Sequence, residues 1–225
     1  MTVARDAFSS VAAGTGTLSW THTPTGTPTC ILVIAIGTAT SDEFTSADYG
    51  GNSMVELSAS PAVLSSGEGG NISVFVLATG VPSGAQTVTV NVTGTGSKRA
   101  AAWSLTGTAP WEWAGWNTAI SSTSLANPSD TLSLSGQTSF VAMGYFSGQN
   151  AVTGSSPLAG WTAELEHDFG TDTCGWYSYN TIDSADVTIG WTQTADDALA
   201  VAVGLREALS LSSSTQFLAL MGCGV

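Results

Sequence analysis

The stretch TVTVNVT, Thr87 to Thr93, puts Val88, Val90 and Val92 on one side of an extended chain and Thr87, Thr89, Asn91 and Thr93 on the other. A period of two with β-branched residues throughout is the pattern of a strand with one dry and one wet face. On either side of it lie runs of a different kind. CILVIAIG (Cys30 to Gly37) and ISVFVLATG (Ile72 to Gly80) are apolar at nearly every position. Strands of that composition belong in the middle of sheets covered on both faces. Near the end, ALAVAVGL (Ala198 to Leu205) sets Leu199, Val201, Val203 and Leu205 against a face of Ala198, Ala200, Ala202 and Gly204. The small face implies a close neighbour.

Working outward, similar short segments recur at about ten-residue spacing between Gly, Pro, Ser, Asn and Asp clusters, the pattern of a sandwich or barrel. Further candidates are Leu18 to His22, Met54 to Ser58, Ala101 to Thr106, Thr131 to Ser135, Ser139 to Phe146, Gly160 to Glu166, Gly175 to Tyr179 and Val187 to Thr192. Composition agrees: Gly, Ser, Thr and Ala make up roughly half of the 225 residues, which disfavours long helices. The expectation is an all-β chain: a single antiparallel β-sandwich, jelly-roll-like, of about a dozen strands with an extended C-terminal arm. The limits read from the sequence are an N-terminal arm over 1–13, the sandwich over 14–206 and the arm over 207–225. If there is an internal boundary, polar, proline-containing SSTSLANPSD (Ser121 to Asp130) is the place for it. The echo of WTHT at Trp20 in WTQT at Trp191 is too short to establish a duplication.

Charge narrows the partners. With 17 acidic and 4 basic residues the net charge is -13, so sequence-independent phosphate binding is disfavoured, as are anionic membrane surfaces. No apolar run approaches the ~20 residues of a spanning helix, and the N-terminus lacks the apolar core of a secretory signal. A soluble protein made in a reducing compartment is expected. Three widely spaced cysteines, Cys30, Cys174 and Cys223, form neither a metal-ligand spacing nor a disulfide framework. The NIS and NVT triplets at Asn71 and Asn91 match a glycosylation acceptor, but such matches arise by chance in a Ser/Thr-rich chain.

Chemistry-bearing groups are sparse. His22 and His167 are the two histidines; His167 lies between Glu166 and Asp168, yet no nucleophile elbow occurs, and the expectation is that the protein is not an enzyme. Glu164 and Glu166 are expected to share one strand face, and Asp196 with Asp197 to form the turn of a hairpin. Either pair could contribute to a calcium site, but the DxDxDG ligand loop is missing, so no metal or cofactor is expected. In WEWAGW, Trp111, Trp113 and Trp116 either roof the core or a subunit interface, or form a stacking platform for sugar rings beside Glu112. Burial is the reading adopted, with a glycan as the alternative partner. At the C-terminus Phe217, Leu218, Ala219, Leu220 and Met221 form an apolar patch tethered by LSSST. Such a patch has to be covered, and a neighbouring subunit is the expected cover.

A resemblance adds to this reading. SWTHTPTGTPTCILVIAIG, DYGGNSMVEL, SVFVLATGVPSGAQTVTVNVTG and AAAWSLTG, together spanning about Leu18 to Thr108, resemble a β-sandwich module of phage and prophage virion proteins and some bacterial surface proteins. The matching positions are His22, Thr23, Tyr49, Gly50, Gly51, Gly80, Pro82, Gly84, Trp103 and Gly107. The resemblance implies a virion structural protein, synthesised in the host cytoplasm, that partners other virion proteins and itself as a homo-oligomer. A capsid decoration protein is the expectation; a tail-associated protein or a glycan-binding module is the alternative.

Overall fold

The computed structural model describes residues 2–12, 14–57, 60–65, 67–117, 120–148, 157–170, 172–183 and 186–208; for 109–117, 168 and 181 it describes the backbone alone. Eighteen strands lie among them. The first ten are β1 (Ala4–Ser10), β2 (Leu18–His22), β3 (Cys30–Gly37), β4 (Phe44–Tyr49), β5 (Asn52–Ser53), β6 (Val55–Glu56), β7 (Ala62–Leu64), β8 (Gly70–Leu77), β9 (Gln86–Val92) and β10 (Lys98–Thr106). The rest are β11 (Thr108–Asn117), β12 (Ser121–Leu125), β13 (Ser129–Ser133), β14 (Thr138–Ser147), β15 (Thr162–Asp168), β16 (Thr173–Asp183), β17 (Asp186–Gly190) and β18 (Asp196–Glu207). No helix occurs among the described residues, and every pairing is antiparallel.

The apolar runs take the central places their composition demands. β3 is buried at every residue and sits between β10 and β8. β9, with Val88 and Val90 buried and its threonines facing outward, lies between β2 and β4 in an outer sheet. The β4–β5 hairpin turns on Gly50 and Gly51, with φ of 58° and 78°, the doubly left-handed geometry of a two-residue hairpin loop that glycine adopts without a Cβ clash.

Four sheets result. One has the order β1-β10-β3-β8-β6, with β7 also on β8; its outer neighbour is β2-β9-β4-β5. The third has the order β11-β18-β14-β16-β15, with β12 also on β18; its outer neighbour is the β13-β17 pair. The first and third sheets are wired alike. In each, the first strand of the half-chain pairs with its last, the last pairs with a middle strand buried along all or nearly all of its length, and that strand pairs with a further long one. The registers match as well: Cys30 faces Leu105 and Gly37 faces Lys98, while Phe140 faces Leu205 and Ser147 faces Ala198. On the other side of the middle strand, Gly37 faces Asn71 and Ile31 faces Leu77, while Ser147 faces Thr173 and Val141 faces Tyr179. The chain therefore builds one strand order twice, and the halves meet at Gly107 (φ 72°) between β10 and β11.

Burial shows how the sheets stack. Cys30, Leu32, Ile34, Ile36, Val74 and Trp103 of the first sheet share a core with Phe140, Phe146, Trp176, Val201 and Val203 of the third. The opposite face of the first sheet, through Ile31, Val33 and Phe75, meets Leu18, Tyr49, Val88 and Val90 of its outer sheet. The opposite face of the third, through Met143, Tyr145 and Tyr177, meets Leu132, Val187 and Ile189. At the central seam the Trp176 indole N–H donates to the Ile34 carbonyl at 3.1 Å, tying the halves together.

Several expectations change. The all-β antiparallel architecture is present, in several sheets consistent with a β-sandwich, and with eighteen strands among the described residues rather than about a dozen. Ser121 to Asp130 is not the boundary: it forms β12 and the start of β13. The 1–13 segment is not a free arm, because Val3 is buried and Ala4–Ser10 pairs along β10; hydrogen bonding to an otherwise open sheet edge satisfies its backbone. Trp20 and Trp191 do not occupy equivalent places, since one lies within β2 and the other just after β17. Of the C-terminal arm, Glu207 ends β18, and Phe217, Leu218, Leu220 and Met221 lie outside the described residues.

Candidate functional site

The densest collection of ionisable groups lies where one end of the first half-chain meets the second. Gly67 and Gly69 flank Glu68 in the turn before β8, with φ of 69° and 84°. The Glu68 backbone N–H donates to Asp197 Oδ2, and Asp197 is buried at the start of β18 beside half-buried Asp196. The Gly148 N–H donates to the Asp197 carbonyl at 3.0 Å, closing the end of β14 onto β18. A side chain at 148 has no room: its Cβ would lie 2.7 Å from Glu68 Oε2 and 2.9 Å from Asp196 Oδ1. The fourth carboxylate is Asp172, from the β15–β16 loop, 7% exposed, with no hydrogen-bond partner for its Oδ1 among the described residues. Glu68 is itself exposed; partial desolvation and the neighbouring carboxylates of Asp172, Asp196 and Asp197 push its carboxyl up to about 7. Among the described residues no group of three or more His, Cys, Asp or Glu side chains is arranged to hold a metal ion.

Sequence reasoning singled out Asp196 and Asp197 but placed them in a hairpin turn, whereas they begin β18, which does not pair with β17; Glu68 and Asp172 it did not single out. The sequence signal was the glycine on each side of Glu68, which marks a turn and says nothing of its neighbours.

The other anticipated groups are committed to structure. The Trp20 indole N–H donates to Ser9 Oγ at 2.9 Å, and Ser9 Oγ lies 2.7 Å from His22 Nδ1. Ser9 Oγ thus bridges the Trp20 indole and the His22 ring, and whether Oγ or Nδ1 donates between them follows the imidazole tautomer. Burial pulls His22 down to about 4, against the opposing charge of Asp6, so it is a poor base at neutral pH. Its ring packs edge-on to Tyr49 at 6.1 Å. Two of the positions that carry the virion resemblance thus form one buried contact. His167 packs its ring edge-on against Phe169 at 5.2 Å and faces Cys174 across the β15–β16 ladder.

Glu164 and Glu166 do not share a face. A bulge between Ala163 and Leu165 inserts one residue into β15, which reverses the alternation. Glu164 accepts from Ser178 Oγ and Arg5, whereas Glu166 accepts from the hydroxyls of Tyr177 and Tyr145, the latter at 3.0 Å. The backbone of Trp113 and Trp116 pairs with Leu205 and Val203 in β11–β18; the side chains of Trp111, Trp113 and Trp116 lie outside the described residues.

Fold and site together define a class: an all-β protein of stacked antiparallel sheets whose ionisable clusters lie at the joins between layers. No family model, curated protein or solved structure matches the chain.

Proposed function

We propose that this is a bacteriophage virion structural protein, a capsid decoration protein that binds the particle surface through its sandwich and C-terminal arm. The observation that carries the reading is the layered architecture. The order β1-β10-β3-β8 facing β2-β9-β4-β5 fits a jelly roll, an architecture shared by viral capsid and lectin domains, and the second half repeats its wiring. The groups that sequence reasoning weighed for catalysis, His22 and His167, are packed into the fold instead. Val55 is the one large apolar side chain exposed among the described residues, so attachment falls to the arm and to polar surface. The arm's share rests on the sequence of Phe217, Leu218, Leu220 and Met221.

The copy number relative to the major capsid protein in purified particles tests this. A fixed ratio to the capsid lattice supports decoration; a few copies that follow the tails on dissociation replace it with the tail-associated reading. Retention on a polysaccharide column with no particle association points to the glycan-binding alternative. Deleting Leu211 to Val225 is expected to leave the sheets folded and weaken attachment or oligomerisation.

A further inference from the structure

Lys98, Glu43 and Asn71 gather inside the first half-chain. The registers put Lys98 of β10 opposite Gly37 of β3, and Gly37 opposite Asn71 of β8. Directly paired residues project from the same face of a sheet, so Lys98 and Asn71 rise on either side of a residue with no side chain. It is the face that Ala35 and Ala100 present to the outer sheet. Lys98 and Asn71 are fully buried, and Glu43, just before β4, is 4% exposed.

The three functional groups lean toward one end of this row. The Lys98 ammonium donates to the Gly96 carbonyl at 2.8 Å and lies 3.1 Å from Glu43 Oε2, off the line of a hydrogen bond, since that oxygen finds no donor among the described residues. The Gly96 N–H donates to Glu43 Oε1 at 3.3 Å, so one residue fixes both amine and acid. Asn71 Nδ2 donates to the Ala39 carbonyl at 3.2 Å. Gly96 and Ala39 are neighbours: a Cβ on Gly96 would lie 2.9 Å from Glu43 Oε2 and 3.5 Å from the Ala39 nitrogen. The carboxamide also reaches over Gly37, where an added Cβ would lie 2.9 Å from Nδ2 and 3.4 Å from Cγ. Asn71 Oδ1 finds no donor among the described residues. An ion pair accounts for Lys98 and Glu43, but not for a fully buried carboxamide with an idle oxygen beside them.

We propose that this is a self-crosslinking site, at which Lys98 Nζ and Asn71 Cγ join in an isopeptide bond that staples β10 to β8 across β3, with Glu43 carrying the protons. Glu43 takes one proton from the ammonium, and the freed lone pair attacks Cγ. The charge developing on Oδ1 is met by the proton now on Glu43, the donor this oxygen lacks. As the Nζ–Cγ bond is completed, a second proton leaves Nζ for Nδ2 and the Cγ–Nδ2 bond breaks. Ammonia departs, takes the proton held by Glu43 and leaves as ammonium, which restores the carboxylate. One ammonium is consumed and one released, and no atom changes oxidation state. Burial penalises an ion pair relative to the neutral amine and acid, and the fold supplies the proximity that a reaction between free partners would have to gain by collision.

Intact-mass spectrometry of the folded full-length protein, denatured for the measurement, tests the bond. The wild type is expected to be lighter than its sequence by one ammonia, with removal of Met1 allowed for, and chymotryptic digestion to release a branched peptide joining the Lys98 and Asn71 segments. Lys98→Met and Glu43→Gln are expected at their full sequence masses, and Asn71→Asp, which keeps an electrophilic carboxyl, one water below its own. Folded wild type that keeps its full sequence mass after prolonged incubation overturns the proposal, as does an ammonia loss that persists in Lys98→Met. A loss of one water from the wild type would mark condensation of Lys98 with Glu43 and overturn the assignment to Asn71. The wild-type mass and its branched peptide decide the matter even where a variant fails to fold.

Discussion

Replacing Gly144 by alanine tests the stacking of the two halves at its tightest point. Gly144 sits in the middle of β14, facing Trp176 on one side and Val201 on the other, and its φ is not among the left-handed ones. The added Cβ would lie 2.6 Å from Ile34 Cγ2 and 3.3 Å from Ile36 Cδ1. Ile34 cannot turn away cheaply, because it is β-branched, fully buried and carries the carbonyl that accepts from Trp176. Overpacking of this kind costs about 1–3 kcal/mol, while the entropy removed from the unfolded chain returns about 0.4–1 kcal/mol. A net loss of about 1–2 kcal/mol is expected, and each kcal/mol lowers Tm by about 2–4 °C in a protein of this size. Urea unfolding gives the magnitude, and a double-mutant cycle gives the cause. Ile34→Ala alone costs about 2–5 kcal/mol, but it removes the atom that clashes, so adding Gly144→Ala to it should cost less than in the wild type by more than about 0.5 kcal/mol. A neutral Gly144→Ala, or strictly additive costs, would refute the close approach of β14 to β3.

Three further outcomes are expected. Lys98 and Glu43 form a buried pair at 3.1 Å, so Lys98→Met, which strands the carboxylate, should cost about 3–5 kcal/mol in urea unfolding, and adding Glu43→Gln should recover part of it. Burial pushes the Cys30 thiol up to about 12 and the Cys174 thiol higher still; a Cys223→Ser protein should resist iodoacetamide at pH 8 when folded and be modified at both remaining cysteines in urea. Burial lowers His22 from 6.5 to about 4, so it contributes stability that is present above 6.5 and lost as pH falls through 4; this acid-side loss should be missing in His22→Gln, and an unchanged pH slope in that variant would show that His22 is not the group responsible.

How many faces of each strand are covered was legible from its own residues. CILVIAIG is apolar on both faces and became a central strand; TVTVNVT is apolar on one and became an outer strand; Gly50 and Gly51 turn the hairpin their identity suggests. The small face of Ala198, Ala200 and Ala202 does have close neighbours, since it shares one buried cluster with Tyr145, Tyr177 and Trp191. These outcomes depend on local preference and on the free energy of removing apolar surface from water, both of which are properties of the side chains themselves.

What covers each face was decided only in three dimensions. An apolar face is satisfied equally by an outer sheet of its own half or by the central sheet of the other, and nothing in Leu32 or Val201 tells these apart. The repeated wiring was hidden because backbone pairing sets register without requiring like side chains, so Lys98 and Ala198 occupy equivalent places. One inserted residue in β15 sent Glu164 and Glu166 to opposite faces, which no alternation pattern foretells. The acidic seam shows the same limit most plainly: Glu68, Asp172 and Asp196–Asp197 are far apart along the chain, and only the packing of one half on the other makes their charges neighbours.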